Sequence, residues 1–293
     1  VRSRQQLVLD FSREEVADYI FDSLCRVLDS ANVEYLKWDM NRSVIDVYSA
    51  LAGCAEQGEV LYKYTLGLYR FLDRIGRRYP NILIEGCCGG GGRFDAGMLY
   101  YGPQIWCSDN TDAIDRIRIQ YGTSFGYPIS AVGSHVSAVP NHQTGRSVPL
   151  KTRGAVAMAG SFGYELDLGK LTPAEKEEVK AQVKAYKDNW KLIQDGEYYR
   201  LSNPYEPDGL GAWEFAAEDG SEALLTVVAL NTHGNPLTSY VRLKGLRADG
   251  WYRDEAAGKM YEGRALMEGG IPVPHMEDEY QSWQMHMRLC EEH

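Results

Sequence analysis

The sequence predicts an α/β protein that combines a (β/α)8 TIM-type barrel, incomplete at its N-terminus, with an antiparallel β-sandwich. Apolar strand patterns alternate with helical patterns as far as Gly196, which is typical of parallel strands joined by helical crossovers. From about Leu201 the pattern changes to short strands between Gly, Asn and Pro turns. We therefore expect a barrel domain over residues 1–198 and a C-terminal β-sandwich domain over residues 199–293.

The barrel part contains about six strand–helix units, fewer than the eight that close such a barrel. Its strands are predicted at residues 7–10, through Trp38, at 82–85, through Trp106, at 129–132 and at 162–168. Its helices are predicted at residues 16–28, 61–75, 111–121, 147–159 and 173–195, the first and last opened by capping boxes at Ser12/Glu15 and Thr172/Glu175. The sandwich strands are predicted at residues 223–230, 239–243, 251–253 and 283–289.

Composition and charge restrict the class of protein. The chain of 293 residues is 44% hydrophobic and 25% charged, as in ordinary globular proteins. A net charge of −10 without a basic tract argues against a nucleic-acid partner, and no apolar run approaches the roughly 20 residues of a membrane span. Six cysteines in a chain of this length do not indicate a disulfide framework, so a reducing, cytoplasmic setting is expected. Because a strand pattern starts soon after Val1 and no signal peptide precedes it, we expect a piece whose start lies upstream.

Two predicted strands end in carboxylates. Side chains alternate along a strand, so Lys37, Asp39 and Asn41 share one face at the end of the first of these strands. The strand through Trp106 opens onto Asp109. The C-terminal strand ends of a parallel barrel open onto one face, and two carboxylates that flank a bond are the groups that glycoside hydrolysis uses. An ordinary ion pair at a strand end is the simpler interpretation of either segment alone.

The surroundings of these carboxylates suggest separate roles. Lys37 lies on the same side of its strand as Asp39, and a neighbouring positive charge favours an ionised carboxylate, as a nucleophile requires. Asp109 would then be the general acid and base. Asp112 is a rival for that role, although a carboxylate at a helix N-terminus is its structural interpretation.

A run of four glycines, Gly89–Gly92, comes after the strand predicted at residues 82–85, with Cys87 at the end of that strand. No Lys-Ser/Thr pair follows, so a phosphate-binding loop is poorly supported. A structural turn and a wall that admits a sugar close to the backbone both fit the glycines, and Cys87 is either a packing residue or part of that wall. The cysteines lack a second pair of ligands at metal-binding spacing, and His135 and His142 lie in a polar loop, so we expect no metal or other cofactor.

Several long motifs occur in one order along the chain, which argues against a chance resemblance to a family. They are the segments at residues 35–42, 85–95, 106–113 and 135–146. They resemble the α-galactosidases of glycoside hydrolase family 36, and the similarity continues through the C-terminal sandwich. The resemblance implies a retaining double displacement on α-linked galactosides such as melibiose and raffinose. It implies that Asp39 is the nucleophile and Asp109 the acid/base, with their carboxyl groups about 5–5.5 Å apart in a competent site.

The resemblance also implies a set of substrate-binding residues and a quaternary state. The residues are Arg4, Lys37, Asn41, Cys87 and Gly90. Members of the family carry an N-terminal β-domain and further barrel strands, which this chain lacks, so the piece alone is expected to be inactive. The parent is expected to be a homo-oligomer, a tetramer by resemblance, with α-galactoside oligosaccharides as its partners.

Three alternatives remain open at this point. An α-N-acetylgalactosaminidase or a galactosyl-transferring relative could use the same two carboxylates. A non-catalytic carbohydrate-binding module is the alternative from a different class of protein.

Overall fold

The computed structural model describes residues 5–41, 44, 47–206, 209–232, 234 and 237–290. These residues form two compact units, 1–109 and 110–293. Each unit is a region of dense internal packing and is described below by itself. The domain boundary after residue 198 stays a prediction.

The first unit consists of parallel strands joined by helices. Its helices are α1 (Glu14–Leu28), α2 (Val60–Arg78) and α3 (Ala96–Tyr101). Its strands are β1 (Tyr35–Asp39), β2 (Leu83–Cys87) and β3 (Gln104–Trp106), hydrogen-bonded in that order. Both pairings are parallel, as the strand–helix alternation predicts.

One face of these three strands packs on the helices. Phe71, Leu72 and Ile75 of α2 are at most 1% exposed and form a core with Ile84 and Ile105 of the strands. The apolar period of α2 thus produces its buried stripe. Because side chains alternate along a strand, Lys37 and Asp39, with their neighbours on β2, lie on the other face.

The N-terminal segment departs from the prediction. No described strand pairs along residues 7–10, and Leu7 and Leu9 are 64% and 48% exposed, so the predicted buried strand is wrong. The capping box at Ser12 is also wrong: the Ser12 hydroxyl donates to Asp10, and α1 begins at Glu14 without a side-chain cap. An apolar alternation becomes a strand only where a neighbouring strand accepts its hydrogen bonds.

The second unit contains two further parallel strands, β4 (Val132–Ser137) and β5 (Ser161–Glu165). Its helices are α4 (Ala113–Thr123), α5 (Leu150–Ala157), α6 (Pro173–Asp188) and α7 (Trp190–Asp195). The capping box of Thr172 and Glu175 opens α6 as predicted. The strand predicted at 129–132 starts only at Val132, because residues 129–131 form a 3-10 turn.

The C-terminal part of the second unit is an antiparallel sandwich. Its described strands are β6 (Glu197–Arg200), β7 (Leu210–Ala216), β8 (Glu222–Ala229), β9 (Tyr240–Val241), β10 (Trp251–Asp254), β11 (Met260–Glu262), β12 (Ile271–Pro272) and β13 (Ser282–Leu289). Six of them are hydrogen-bonded in the order β11-β10-β13-β8-β7-β6, and a two-stranded sheet joins β9 to β12. Leu225 and Met285 of the large sheet share a buried core with Val241 and Ile271 of the small one. The predicted change from parallel to antiparallel structure is confirmed.

Two further predictions can be compared with this structure. The six cysteines, all of which lie within the described residues, form no disulfide. Among the helices of the described chain, none combines the length and the apolar composition needed to cross a membrane.

Candidate active site

The ends of β1 and β2 bring a carboxylate and a thiol together. Asp39 and Cys87 are direct neighbours in the parallel register. The Asn41 amide donates a hydrogen bond of 2.7 Å to Oδ2 of Asp39. Burial raises the pKa of the Cys87 thiol to about 11, against an opposing hydrogen bond from the Gly90 backbone and with further help from the hydrogen bond to Asp39. The thiol is therefore protonated at neutral pH and can donate to the Asp39 carboxylate.

The glycine run holds the end of β3 against the end of β2. Gly90 has φ +83°, and a Cβ built on it would lie 2.9 Å from Cα of Ser108 and 3.0 Å from the backbone nitrogen of Asp109. A Cβ on Gly91 would lie 2.7 Å from the carbonyl oxygen of Cys107. Only glycine allows this approach, so the run is a structural turn that packs on the residues leading to Asp109.

Five of the predicted site residues of the first unit therefore form one connected set. Asn41 contacts Asp39, Asp39 contacts Cys87, Cys87 contacts Gly90, and Gly90 packs on Asp109. Asp39 and Asp109 are both exposed. Two predicted substrate-binding residues remain: Lys37, which is described next, and Arg4, which lies outside the described residues.

Lys37 lies two residues before Asp39 on the same face of β1, and it pairs with Glu85 instead of the expected Asp39. Its Nζ is 3.3 Å from Oε1 of Glu85 and 4.8 Å from the centre of the Trp106 ring. Glu85 is the residue that sequence reasoning missed. Glu85 and Cys87 are two residues apart on β2, so both side chains lie on the site face. The pairing of Glu85 with Lys37 depends on the register between β1 and β2, which the sequence does not show.

Asp112 belongs to the second unit and performs a structural task. Its carboxylate caps α4 by accepting the backbone N–H groups of Ile114 and Asp115 at 2.9 and 3.1 Å. Burial favours its protonated form, but hydrogen bonds from Thr144 and the Asp115 backbone, with the charge of Arg146, keep the pKa of Asp112 below its ordinary value. The interpretation as a carboxylate at a helix N-terminus is confirmed.

The polar loop after β4 also has a structural role in this unit. The Asn141 amide donates to Thr111 at 3.1 Å, and Thr144 donates to Asp112 at 2.6 Å. His135 lies within β4 and not in the predicted loop, 3.8 Å from Glu165, whereas His142 lies in the loop and is exposed. Within the described part of the chain, no three His, Cys, Asp or Glu side chains are arranged to hold a metal ion.

Cavity size alone does not locate the site. A cavity of about 660 Å³ lies in the second unit between α7 and the turn from β7 to β8, and no predicted site residue lines it. A cavity of about 360 Å³ in the first unit borders Asp39 and Asn41, but most of its wall is apolar. We place the candidate site at the ends of β1, β2 and β3, where the chemically competent groups meet.

Two family models match the chain. The melibiase model matches residues 1–196. The model of the glycosyl hydrolase family 36 C-terminal domain matches residues 210–287.

Curated relatives agree with these matches over nearly the whole chain. The chain is 55% identical to the bifunctional alpha-galactosidase/sucrose kinase AgaSK of Mediterraneibacter gnavus, over 97% of this chain and 29% of that protein. It is 50% identical to the alpha-galactosidase AgaA of Geobacillus stearothermophilus, over 99% of this chain and 39% of that protein. The chain thus spans well under half the length of either relative.

Solved structures agree as well. The crystal structure of AgaA, described as a GH36 alpha-galactosidase, superposes with a TM-score of 0.96 over 99% of this chain and 40% of that chain, at 50% identity. A variant of AgaA crystallised with raffinose gives the same TM-score, coverage and identity. The parallel strands are therefore those of an incomplete TIM-type barrel, and the chain belongs to the melibiase family of glycoside hydrolases, with the C-terminal domain of family 36.

Proposed function

We propose that the chain is the C-terminal catalytic portion of a retaining α-galactosidase that acts on raffinose-type oligosaccharides. The observation that carries the proposal is the connected set that runs from Asn41 through Asp39, Cys87 and Gly90 to Asp109. This set brings two exposed carboxylates to the ends of β1 and β3, which flank β2 in a parallel α/β fold. The names of the relatives and the raffinose complex of AgaA support the choice of substrate.

The reaction has two steps in this proposal. A carboxylate oxygen of Asp39 attacks the anomeric carbon of the galactosyl unit while Asp109 protonates the departing glycosidic oxygen, so the C–O bond to the aglycone breaks and an ester to Asp39 forms. Asp109, now ionised, takes a proton from water. The water oxygen then attacks the anomeric carbon and displaces Asp39, which releases galactose with its original configuration.

The groups around Asp39 have supporting roles. The Asn41 amide and the Cys87 thiol hold the carboxylate by hydrogen bonds, which fixes the direction of attack. Lys37 offers ammonium protons to sugar hydroxyls from the layer below, and the backbone at Gly90 forms part of the wall of the pocket. We also propose Arg4 as a sugar ligand.

We infer that activity needs structure beyond this chain. β1 is an outer strand of the three described parallel strands of its unit, and the relatives are more than twice as long as the part that matches. Further strands on this side would complete the barrel and the pocket. The expectation of a cytoplasmic homo-oligomer belongs to this longer protein.

The test is hydrolysis of p-nitrophenyl α-D-galactopyranoside by this chain and by a version extended upstream, each beside its Asp39→Ala variant. We expect little or no turnover from the chain, turnover from the extended protein, and loss of that turnover in the variant. Equal turnover with and without Asp39 would contradict its assignment as nucleophile. Absence of turnover from the extended wild type would contradict the proposed function.

A further inference from the structure

Three polar side chains form a lateral row directly below the proposed nucleophile. In the parallel register Lys37 of β1 is opposite Glu85 of β2, and Glu85 is opposite Gln104 of β3. Asp39 and Cys87 form the next row on the same face, two residues further along their strands. The row therefore forms the floor beneath the Asp39 carboxylate.

Glu85 is the centre of this row and is completely buried, with 0% exposure. The Tyr35 hydroxyl donates to its Oε2, and the Gln104 amide donates to the same oxygen at 2.6 Å. Its other oxygen, Oε1, has no hydrogen bond in the described structure, although the Lys37 ammonium lies 3.3 Å away. A buried carboxylate is costly unless such partners compensate its charge.

These contacts determine where the Lys37 ammonium can lie. Glu85 attracts it from one side, and the Trp106 ring lies 4.8 Å from it on another. The Lys37 side chain is still 37% exposed, so part of it faces open space on the site side. A lysine on a flexible four-carbon stem would otherwise sample many rotamers.

We propose that Glu85 is a positioning residue that holds the Lys37 ammonium toward the hydroxyl groups of the bound sugar. This inference rests on the proposed function. Oε1 attracts the ammonium by charge at 3.3 Å, and the exposed part of the Lys37 side chain leaves N–H groups that can donate to the ligand. Tyr35 and Gln104 hold the Glu85 carboxylate in turn, through Oε2.

The inference predicts a particular kinetic signature for Glu85→Gln. The amide has the same shape and can still accept from Tyr35, but it no longer attracts the ammonium. Binding to Lys37 is made in the ground state as well as the transition state, so KM should rise by about tenfold or more while kcat changes by less than about threefold. A residue needed only for folding would instead lower the melting temperature and the amount of active protein without this split.

A double-mutant cycle separates action through Lys37 from a general effect. In the extended protein, kcat and KM on p-nitrophenyl α-D-galactopyranoside are measured for Glu85→Gln, Lys37→Met and the double variant. Glu214→Gln is the matched control, because Glu214 is also 0% exposed but lies on β7, outside the barrel strands. Glu85→Gln should change KM by less than about twofold in the Lys37→Met background, and the control should leave KM unchanged.

The outcomes are distinguishable. Equal increases in KM on both backgrounds, or an unchanged KM in Glu85→Gln, would overturn the role of Glu85 and leave the proposed function intact. A wild type without turnover would overturn the proposed function and this inference with it. If Glu85→Gln shows no cooperative thermal transition, Glu85→Asp replaces it, since it keeps the charge but withdraws it from Lys37, and the same cycle applies.

Discussion

Substitution of Gly90 by alanine tests whether the glycine turn holds Asp109 in position. Gly90 adopts φ +83°, and an added Cβ would lie 2.9 Å from Cα of Ser108. Gly89 offers a matched control: its φ is +53°, also left-handed, but a Cβ there would meet no atom within 4 Å. The two substitutions share the backbone penalty and differ in the collision with the residues that lead to Asp109.

The magnitudes follow from these geometries. A left-handed conformation costs a non-glycine residue roughly 1–2 kcal/mol, so Gly89→Ala should lower the free energy of unfolding by about that amount. Gly90→Ala adds a collision, because carbon atoms pack at about 3.5–4.0 Å, and the backbone near Asp109 must therefore move by at least about half an ångström. Catalytic groups tolerate displacements of about 0.5 Å, and a misplacement of about 1 Å can cost 100-fold. We expect a tenfold to hundredfold lower kcat for Gly90→Ala, from roughly these tolerances.

The assay is kcat on p-nitrophenyl α-D-galactopyranoside with the extended protein, beside urea unfolding of each variant. Gly89→Ala should keep kcat within about threefold of the wild type, despite its loss of stability. The reasoning is refuted if both variants keep wild-type kcat, or if both lose it to the same extent, since the collision would then not be transmitted to the site.

Three further predictions concern single side chains. Asp109→Ala should reduce kcat/KM on raffinose by roughly 100-fold or more, and less on the p-nitrophenyl galactoside, whose good leaving group needs little proton donation; equal losses on the two substrates would argue against Asp109 as the acid. Burial raises the pKa of Glu214 to about 8 from an ordinary 4.5, so its stabilising contribution is full below about pH 4.5 and is lost as the pH rises through 8. Thermal unfolding of Glu214→Gln should therefore show a stability advantage over the wild type that grows across this window, whereas parallel pH curves would rule out this effect. In urea titrations, Asp112→Ala should lower the free energy of unfolding by about 2–4 kcal/mol, because it removes a buried cap. Thr172→Ala, which removes an exposed cap, should lower it by about 1 kcal/mol. Equal losses would contradict the larger stabilisation that we assign to the buried cap.

The sequence predicted most of the elements because their signals are local. The apolar period of α2, the capping box of Thr172 and the cap at Asp112 each depend on residues within a few positions of one another. The strand predicted at residues 7–10 failed for the complementary reason. Alternating apolar residues form a strand only when a neighbouring strand pairs with them, and that partner lies far away in sequence. Leu7 and Leu9 are exposed, and no described strand lies beside them.

The strand ends and the face on which the candidate-site residues lie were predictable, but the connections between their side chains were not. Alternation along β1 places Lys37 and Asp39 on one face, which suggested that the charge of Lys37 acts on the Asp39 carboxylate. The observed ion pair with Glu85 depends on which residues of β1 and β2 face each other, and hydrophobic patterning does not encode that register across a helical crossover. The glycine run was similarly ambiguous until the approach of Gly90 to Ser108 was known.

Covalent trapping of the nucleophile tests the central claim most directly. The extended protein is treated with a fluorinated galactosyl fluoride that forms the glycosyl-enzyme faster than water removes it, digested with trypsin and analysed by mass spectrometry. Cleavage after Lys37 and Arg42 yields a peptide, Trp38–Arg42, in which Asp39 is the only carboxylate side chain. We predict that this peptide carries the fluorogalactosyl mass and that Asp39→Asn abolishes it. A label on the peptide that contains Asp109, or an unlabelled enzyme that releases galactose of inverted configuration, would contradict the account.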